Sequence, residues 1–352
     1  MSHTCGRQNM RTISMNISEK FIANLRESNV QCQKGLIEMF DSTVGRSTVL
    51  MPFGGATQRS ETQVSVQKLP VGNHYTDTAS MMAYGYNPDI SLWSPYHGAQ
   101  YAVVEAIAKI VAAGGRRDNI RFSFQEYFEK MTDNPFSWGK PTAALLGALQ
   151  MQHDFCLPAI GGKDSMSGTF GNIDVPPMLM AFGITTVDAD NVISTDLKRA
   201  GNRLYCVWHR HRSDYTPDVD ELKRNFDFVA DAIASRRIVS AWAVGAGGVA
   251  EGICKMAFGN RIGADLTVGG SFSQEQLFAL SYGSIIVEAS EALSPDIAIH
   301  IGYTTEDPYI TIRCEQPDGN TSIEARMQVD ELYKVNTERF ARIYPLTSDG
   351  DR

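Results

Sequence analysis

Gly161-Gly162-Lys163-Asp164-Ser165-Met166-Ser167-Gly168 carries the densest chemistry in the sequence. A cation, a carboxylate and two hydroxyls follow a pair of glycines, between an apolar lead-in (155–160) and a glycine-bearing exit (168–171). Glycine lets the backbone approach a ligand with no Cβ in the way. Backbone N–H groups and a lysine take anionic oxygens, while an aspartate holds a cation or a hydroxyl. The composition is that of a loop handling phosphate or metal. The Gly-x-x-x-x-Gly-Lys-Ser/Thr spacing of a Walker loop is absent, so a tight turn with solvated charges stands as the competing reading.

The elements around the loop must position it. A helix from Pro141, read as a first-turn proline, to about His153 leads in, and a buried strand over 175–187 leads out. Upstream, Ala99, Val103, Ala106, Ile107 and Ile110 recur at helical spacing over 96–113, and Gly114-Gly115 end that helix. Glu105 and Lys109 sit four apart beside its apolar face, the spacing of an intrahelical ion pair. Before it, residues 32–71 read as β-rich, with an apolar run at 48–55 and period-two alternation at 63–71. Residues 75–80 read as a polar stretch leading to a turn at 84–88. Residues 1–30 are a polar lead-in with one helix over 18–26.

A charged, glycine-containing stretch at 188–202 marks a domain boundary. Beyond it the sequence predicts a strand at 203–209, a helix at 218–235, a second glycine-rich turn at 240–248 and a helix at 249–258. A helix at 274–281, strands at 283–288, 297–302 and 309–314, and a closing helix at 329–344 follow. The expected organisation is a lead-in (1–30), an amino-terminal domain (31–188), a carboxy-terminal domain (189–345) and a tail (346–352). The class is α/β or α+β, in two layers.

Composition excludes several classes. With 32 Lys plus Arg against 40 Asp plus Glu, a net charge of −8 and no basic cluster, nucleic acid is not expected as a partner. The sequence has no apolar run long enough to span a membrane and no signal-peptide core at its start. Six scattered cysteines without a Cys-x-x-Cys pair read as reduced thiols of a cytoplasmic protein. His209-x-His211 is too few ligands for a metal, and His97 and His153 pair with no nucleophile.

Taken together, Lys34-Gly35-Leu36, Tyr75-Thr76-Asp77-Thr78, Ser94-Pro95-Tyr96-His97-Gly98-Ala99, Glu105, Gly162-Lys163-Asp164-Ser165-Met166-Ser167 and Gly247-Gly248 follow a known family in order and spacing. They resemble the second synthetase half of phosphoribosylformylglycinamidine synthase over about residues 32–344. The resemblance implies an aminoimidazole ribonucleotide synthase-like pair of domains: an amino-terminal domain with barrel-forming strands and a carboxy-terminal α/β sandwich. It implies an ATP-dependent carbon–nitrogen ligase of purine biosynthesis, in which phosphorylation of an amide oxygen lets glutamine-derived ammonia displace phosphate. On this reading the chain is a fragment, inactive alone. Its partners are the amino-terminal half that holds the family's catalytic histidine and a glutaminase domain. A homodimer through the barrel strands, a non-catalytic docking pair and a free-standing ATP-binding relative are the alternatives.

Carried over by position, Lys34, Gly162, Lys163, Asp164 and Ser165 would meet nucleotide phosphate, as ATP or ADP, and Asp77 and Glu105 would hold Mg2+. Here the sequence departs from the family. The next ligand position, an Asn in the family, is Lys109, and the family's acidic lead into the last glycine helix is Ala243-Val244-Gly245-Ala246-Gly247-Gly248. An ammonium gained and a carboxylate lost remove most of an oxygen cage. The expectation is that Lys109 stands in for the metal in an ion cluster with Asp77 and Glu105, leaving a structural auxiliary pocket.

Overall fold

A computed structural model describes residues 15–40, 42, 47–315 and 320–346. Two compact units emerge, and the chain passes between them at 62/63, 192/193, 208/209 and 235/236.

The unit formed by Gln63–Val192 and His209–Ser235 is built on a five-stranded sheet. Its strand order is Ser65–Lys68, Thr78–Gly85, Met178–Asp188, Arg121–Tyr127, Ala159–Lys163. Only the last pair is parallel. Burial alternates along Thr78–Gly85 and Arg121–Tyr127, so one face of the sheet is covered. Helix Pro95–Ala112 covers it, packing on strands Met178–Asp188 and Thr78–Gly85 and on helix Pro135–Phe155. Ser94 caps its start by accepting the His97 N–H, and Gly114, at φ 99°, lets the chain turn away after its end. Helix Val219–Ala234 is tied to this unit by a two-pronged bond from Arg117 to Asp227, at 2.9 and 2.7 Å.

The second unit takes the described parts of Met1–Thr62, Ile193–Trp208 and Arg236–Arg352. Its seven-stranded sheet has the order Ile238–Ala243, Ile285–Ala289, Arg203–Val207, Ala298–Thr305, Gly263–Val268, Tyr309–Glu315, Thr321–Gln328. Helices Ile17–Leu25, Gly248–Phe258 and Val329–Ala341 enclose its core with Phe21, Leu25, Ile253, Phe258, Leu266 and Ile310. Residues of the polar lead-in thus belong to a core. Phe21 and Leu25 are fully buried, and Asn16 with Glu19 forms a capping box that starts their helix.

The mixed α/β class is as the sequence predicts. Several elements are not. The loop's leading helix begins at Pro135, capped by Asn134, and Pro141 lies inside it. Residues 274–281 form only a 3-10 turn, Glu275–Leu277. Residues 240–243 belong to strand Ile238–Ala243, and the turn begins only after it. Strands Thr78–Gly85, Arg121–Tyr127, Gly263–Val268 and Thr321–Gln328 have no counterpart in the sequence reading. Cys5 lies outside the described residues, and the other five cysteines are free. Among the described residues no helix is long and apolar enough to cross a membrane.

Candidate functional site

The 161–168 segment begins in the sheet. Gly161, Gly162 and Lys163 end strand Ala159–Lys163, which pairs in parallel with Arg121–Tyr127. A Cβ on Gly162 would lie 2.4 Å from the Phe124 carbonyl oxygen, so the close pairing requires glycine there. Beyond Lys163 the chain leaves the sheet as a loop hooked to the end of the neighbouring strand. The Phe128 N–H donates to the Ser165 carbonyl at 2.9 Å, and the Gly168 N–H donates to the Phe128 carbonyl at 2.9 Å. The Ser165 and Ser167 hydroxyls are 3.0 Å apart. Lys163 and Asp164 are exposed. A concavity of about 430 Å3 opens at the base, lined by Ser123, Gln125, Gly161, Gly162, Lys163 and Phe182 among others. A lysine, backbone turns and hydroxyls beside an open concavity suit an anionic group.

One carboxyl at this edge was not visible as a site residue in the sequence. Glu126 is buried in strand Arg121–Tyr127, with Oε1 lacking a hydrogen-bond partner. Burial first, and the charge of Asp164 second, push its carboxyl up to about 7. Period-two alternation over Phe122, Phe124 and Glu126 was the available signal, because it places the acid on the covered face.

Glu105 and Lys109 form the expected ion pair, 2.8 Å apart, with side chains only 10% and 12% exposed. Glu105 Oε2 accepts the Tyr86 N–H at 2.9 Å. The Lys109 amine donates to the Tyr84 carbonyl at 2.9 Å and lies 4.5 Å from the centre of the Tyr84 ring. Asp77 does not complete the expected three-member cluster. Its carboxylate pairs with Lys68 at 2.7 Å, in a 68% exposed position where solvation competes with any inward contact. With one carboxylate engaged by an amine and the other on the surface, these residues do not fit Mg2+. Among the described residues no group of three or more His, Cys, Asp or Glu gathers for a metal.

Lys34 lies in the other unit. Its side chain is 2% exposed, and its amine donates to the Gln58 carbonyl at 2.8 Å and stands 3.5 Å from Glu38. The neighbouring Gly35 is obligatory in this packing, since a Cβ would lie 2.0 Å from the Tyr344 carbonyl oxygen.

The same unit holds a second Glu-x-x-x-Lys pair that sequence reading passed over. Glu251 and Lys255 are 3.0 Å apart on helix Gly248–Phe258, and Lys255 also meets Glu61 at 2.9 Å. Glu251 Oε2 accepts the Gly247 N–H at 2.8 Å, placing a carboxylate of the chain itself at that helix's start. Burial pulls the Lys255 amine down, but Glu61 and Glu251 outweigh it and hold the amine above its ordinary value. Two charges four apart in an otherwise apolar helix were the available signal. Two of the histidines are held in local hydrogen bonds: His97 bridges the Ser94 hydroxyl and the Asp214 carbonyl, and His209 accepts the Asp218 N–H.

No family model matches the chain. Individual proteins do. The phosphoribosylformylglycinamidine synthase subunit PurL of Thermococcus sibiricus is 22% identical over 81% of the chain, and that of Pyrobaculum aerophilum 24% identical over 91%. The chain is similar to phosphoribosylformylglycinamidine synthase in sequence and in fold. The fold likeness is to T. maritima PurL complexed with ADP, at a TM-score of 0.66 and 15% identity over 90% of the chain; the same protein complexed with FGAR gives 0.64. The chain spans 41% and 45% of the two PurL sequences and 51% of the ADP-bound structure, so about half their length has no counterpart in it.

Proposed function

We propose that this chain is the second synthetase half of an ATP-dependent carbon–nitrogen ligase that converts formylglycinamide ribonucleotide to its amidine in purine biosynthesis. The observation that carries the reading is the joint likeness in sequence and fold to PurL over some nine-tenths of the chain. Structures of T. maritima PurL with ADP and with FGAR support nucleotide and formylglycinamide ribonucleotide as ligands of the whole enzyme.

In that enzyme this half contributes the 161–168 loop. Lys163 neutralises an anionic oxygen, and the backbone beyond Gly162 and the Ser165 hydroxyl orient it, so phosphate charge is met by a preorganised set of donors. The auxiliary pocket implied by the family is structural. Lys109 balances Glu105 with no divalent ion, and Glu251 occupies the helix start that would otherwise receive phosphate. The missing half and a glutaminase domain are the partners in this reading. Five free thiols support a reducing, cytoplasmic setting.

The test is amidation of formylglycinamide ribonucleotide with ATP and ammonium. The chain alone should not turn over, and mixing it with a polypeptide covering the other half of a PurL should restore activity that Lys163→Ala then lowers by about tenfold or more. Turnover by the chain alone would favour a free-standing enzyme. A mixture indifferent to Lys163 would favour a docking role only.

A further inference from the structure

Helix Pro135–Phe155 packs on helix Pro95–Ala112 with small side chains along its middle. Pro141, Ala144, Gly147 and Ala148 are buried there, and a Cβ on Gly147 would lie 2.1 Å from the Tyr96 carbonyl oxygen. Larger apolar residues point away from that face. Trp138, Leu145, Leu146 and Leu149 are 55%, 51%, 55% and 60% exposed. With Thr142 they recur at intervals of three and four, so they adjoin one another in a single stripe. A surface helix ordinarily turns its apolar stripe inward and its charges outward, whereas a helix apolar all round is one that is covered all round.

Two hydrogen bonds shape the stripe. Trp138 Nε1 donates to the Thr132 carbonyl at 3.0 Å, which holds the indole in one orientation. The Thr142 hydroxyl donates to the Trp138 carbonyl at 2.9 Å and is thereby satisfied within the helix. An indole already fixed beside leucines loses little further freedom on association. Charge is missing from the surface around it. Among the described residues, none of the exposed positions of this helix is Asp, Glu, Lys or Arg. Its one lysine, Lys140, is partly buried and pairs with Glu129, and its one aspartate, Asp154, accepts from Gln150 at 2.7 Å.

We propose that the stripe from Trp138 to Leu149 docks a second copy of this chain, the two helices lying antiparallel about a two-fold axis near Thr142 and Leu145. The inference does not rest on the function proposed above. An uncharged stripe meets its own copy without repulsion and offers a charged partner nothing to pair with. In the antiparallel arrangement Trp138 of each copy falls against Leu149 of the other, and the small Thr142 leaves room for the facing leucine. The four large side chains expose on the order of 500 Å2 of apolar surface, near the top of what monomeric proteins leave open. That is more than half of the about 800 Å2 that each partner gives to a standard interface, and the exposed positions on either side supply the rest.

Sedimentation equilibrium of the whole chain from about 1 to 100 μM should show monomer and dimer exchanging within that range. Leu145→Glu combined with Leu149→Glu should leave monomer only. The milder pair Leu145→Gln and Leu149→Gln should raise the dissociation constant at least about tenfold. Both positions are exposed, so circular dichroism of each variant should match that of the unsubstituted chain. Met82→Glu, on the open face of strand Thr78–Gly85, should leave the equilibrium unchanged. A chain that is monomeric throughout the range overturns the pairing and leaves the stripe to a different partner. A dimer that survives the helix substitutions, or that only Met82→Glu breaks, lies on another face and overturns it equally.

Discussion

The Lys109 amine stands 2.8 Å from the Glu105 carboxylate, at the position where the resemblance implies a metal ligand. A charge so little exposed is stabilising only while its partner remains. Lys109→Met should leave Glu105 with the Tyr86 N–H and no cation, lowering stability by about 3 kcal/mol in urea unfolding. The double variant Glu105→Gln, Lys109→Met should recover most of that loss. A single-variant loss below about 0.5 kcal/mol would mean that water already screens the pair.

Lys255 is held more deeply, with two carboxylates. Lys255→Met should be at least as damaging, about 3 to 5 kcal/mol, because Glu61 and Glu251 are then left facing each other without a cation. The amine's folded value lies above its ordinary 10.5. Its contribution is therefore complete below that pH and declines only as pH rises beyond it through the folded value. Thermal melts across the neutral range should show no slope attributable to Lys255.

Glu126 has the same sign in a lower pH window. A carboxyl whose folded value is raised from 4.5 to about 7 binds more protons folded than unfolded between those values. Stability should fall across that window, by at most about 3 kcal/mol, and the loss is complete above it. Glu126→Gln should flatten the slope and be the more stable protein near ~pH 8. Melting curves of the two proteins at matched ionic strength would show equal slopes if Glu126 were ionised throughout.

Two glycines give a contrasting pair. A Cβ on Gly85 would lie 2.1 Å from the Ala102 carbonyl oxygen and 2.9 Å from the Glu105 Cβ, whereas one on Gly139 meets nothing within 4 Å. Gly85→Ala should push strand Thr78–Gly85 away from helix Pro95–Ala112 and destabilise by about 2 kcal/mol. Gly139→Ala, inside helix Pro135–Phe155, should stabilise by about 0.5 to 1 kcal/mol. Equal effects in denaturant titrations would contradict this packing.

Legibility of the sequence followed the strength of local signals. Helix Pro95–Ala112 was readable because its apolar residues repeat at helical spacing and a glycine pair ends it. Strand Arg121–Tyr127 was not, since Ser123, Gln125 and Glu126 break up the apolar run. Its pairing with Met178–Asp188 and Ala159–Lys163 comes from residues far off in sequence. Pro141 suggested a helix start, yet Asn134 and Pro135 supply a better one a turn and a half earlier. At the site, the ion pair of Glu105 and Lys109 was implicit in a spacing of four. The loss of Asp77 to Lys68 was not, because which of two nearby lysines an aspartate meets depends on how strands Ser65–Lys68 and Thr78–Gly85 are aligned. Alternation put Glu126 on the covered face, but the raised carboxyl was hidden because the depth of its burial and the nearby charge of Asp164 come from tertiary structure.

The most direct test of an amine standing in for a divalent ion is titration of ADP into the chain with magnesium and with a chelator. The account predicts the same heats in both conditions, unchanged by Glu105→Gln. Micromolar ADP binding that requires magnesium and disappears in Glu105→Gln would contradict it.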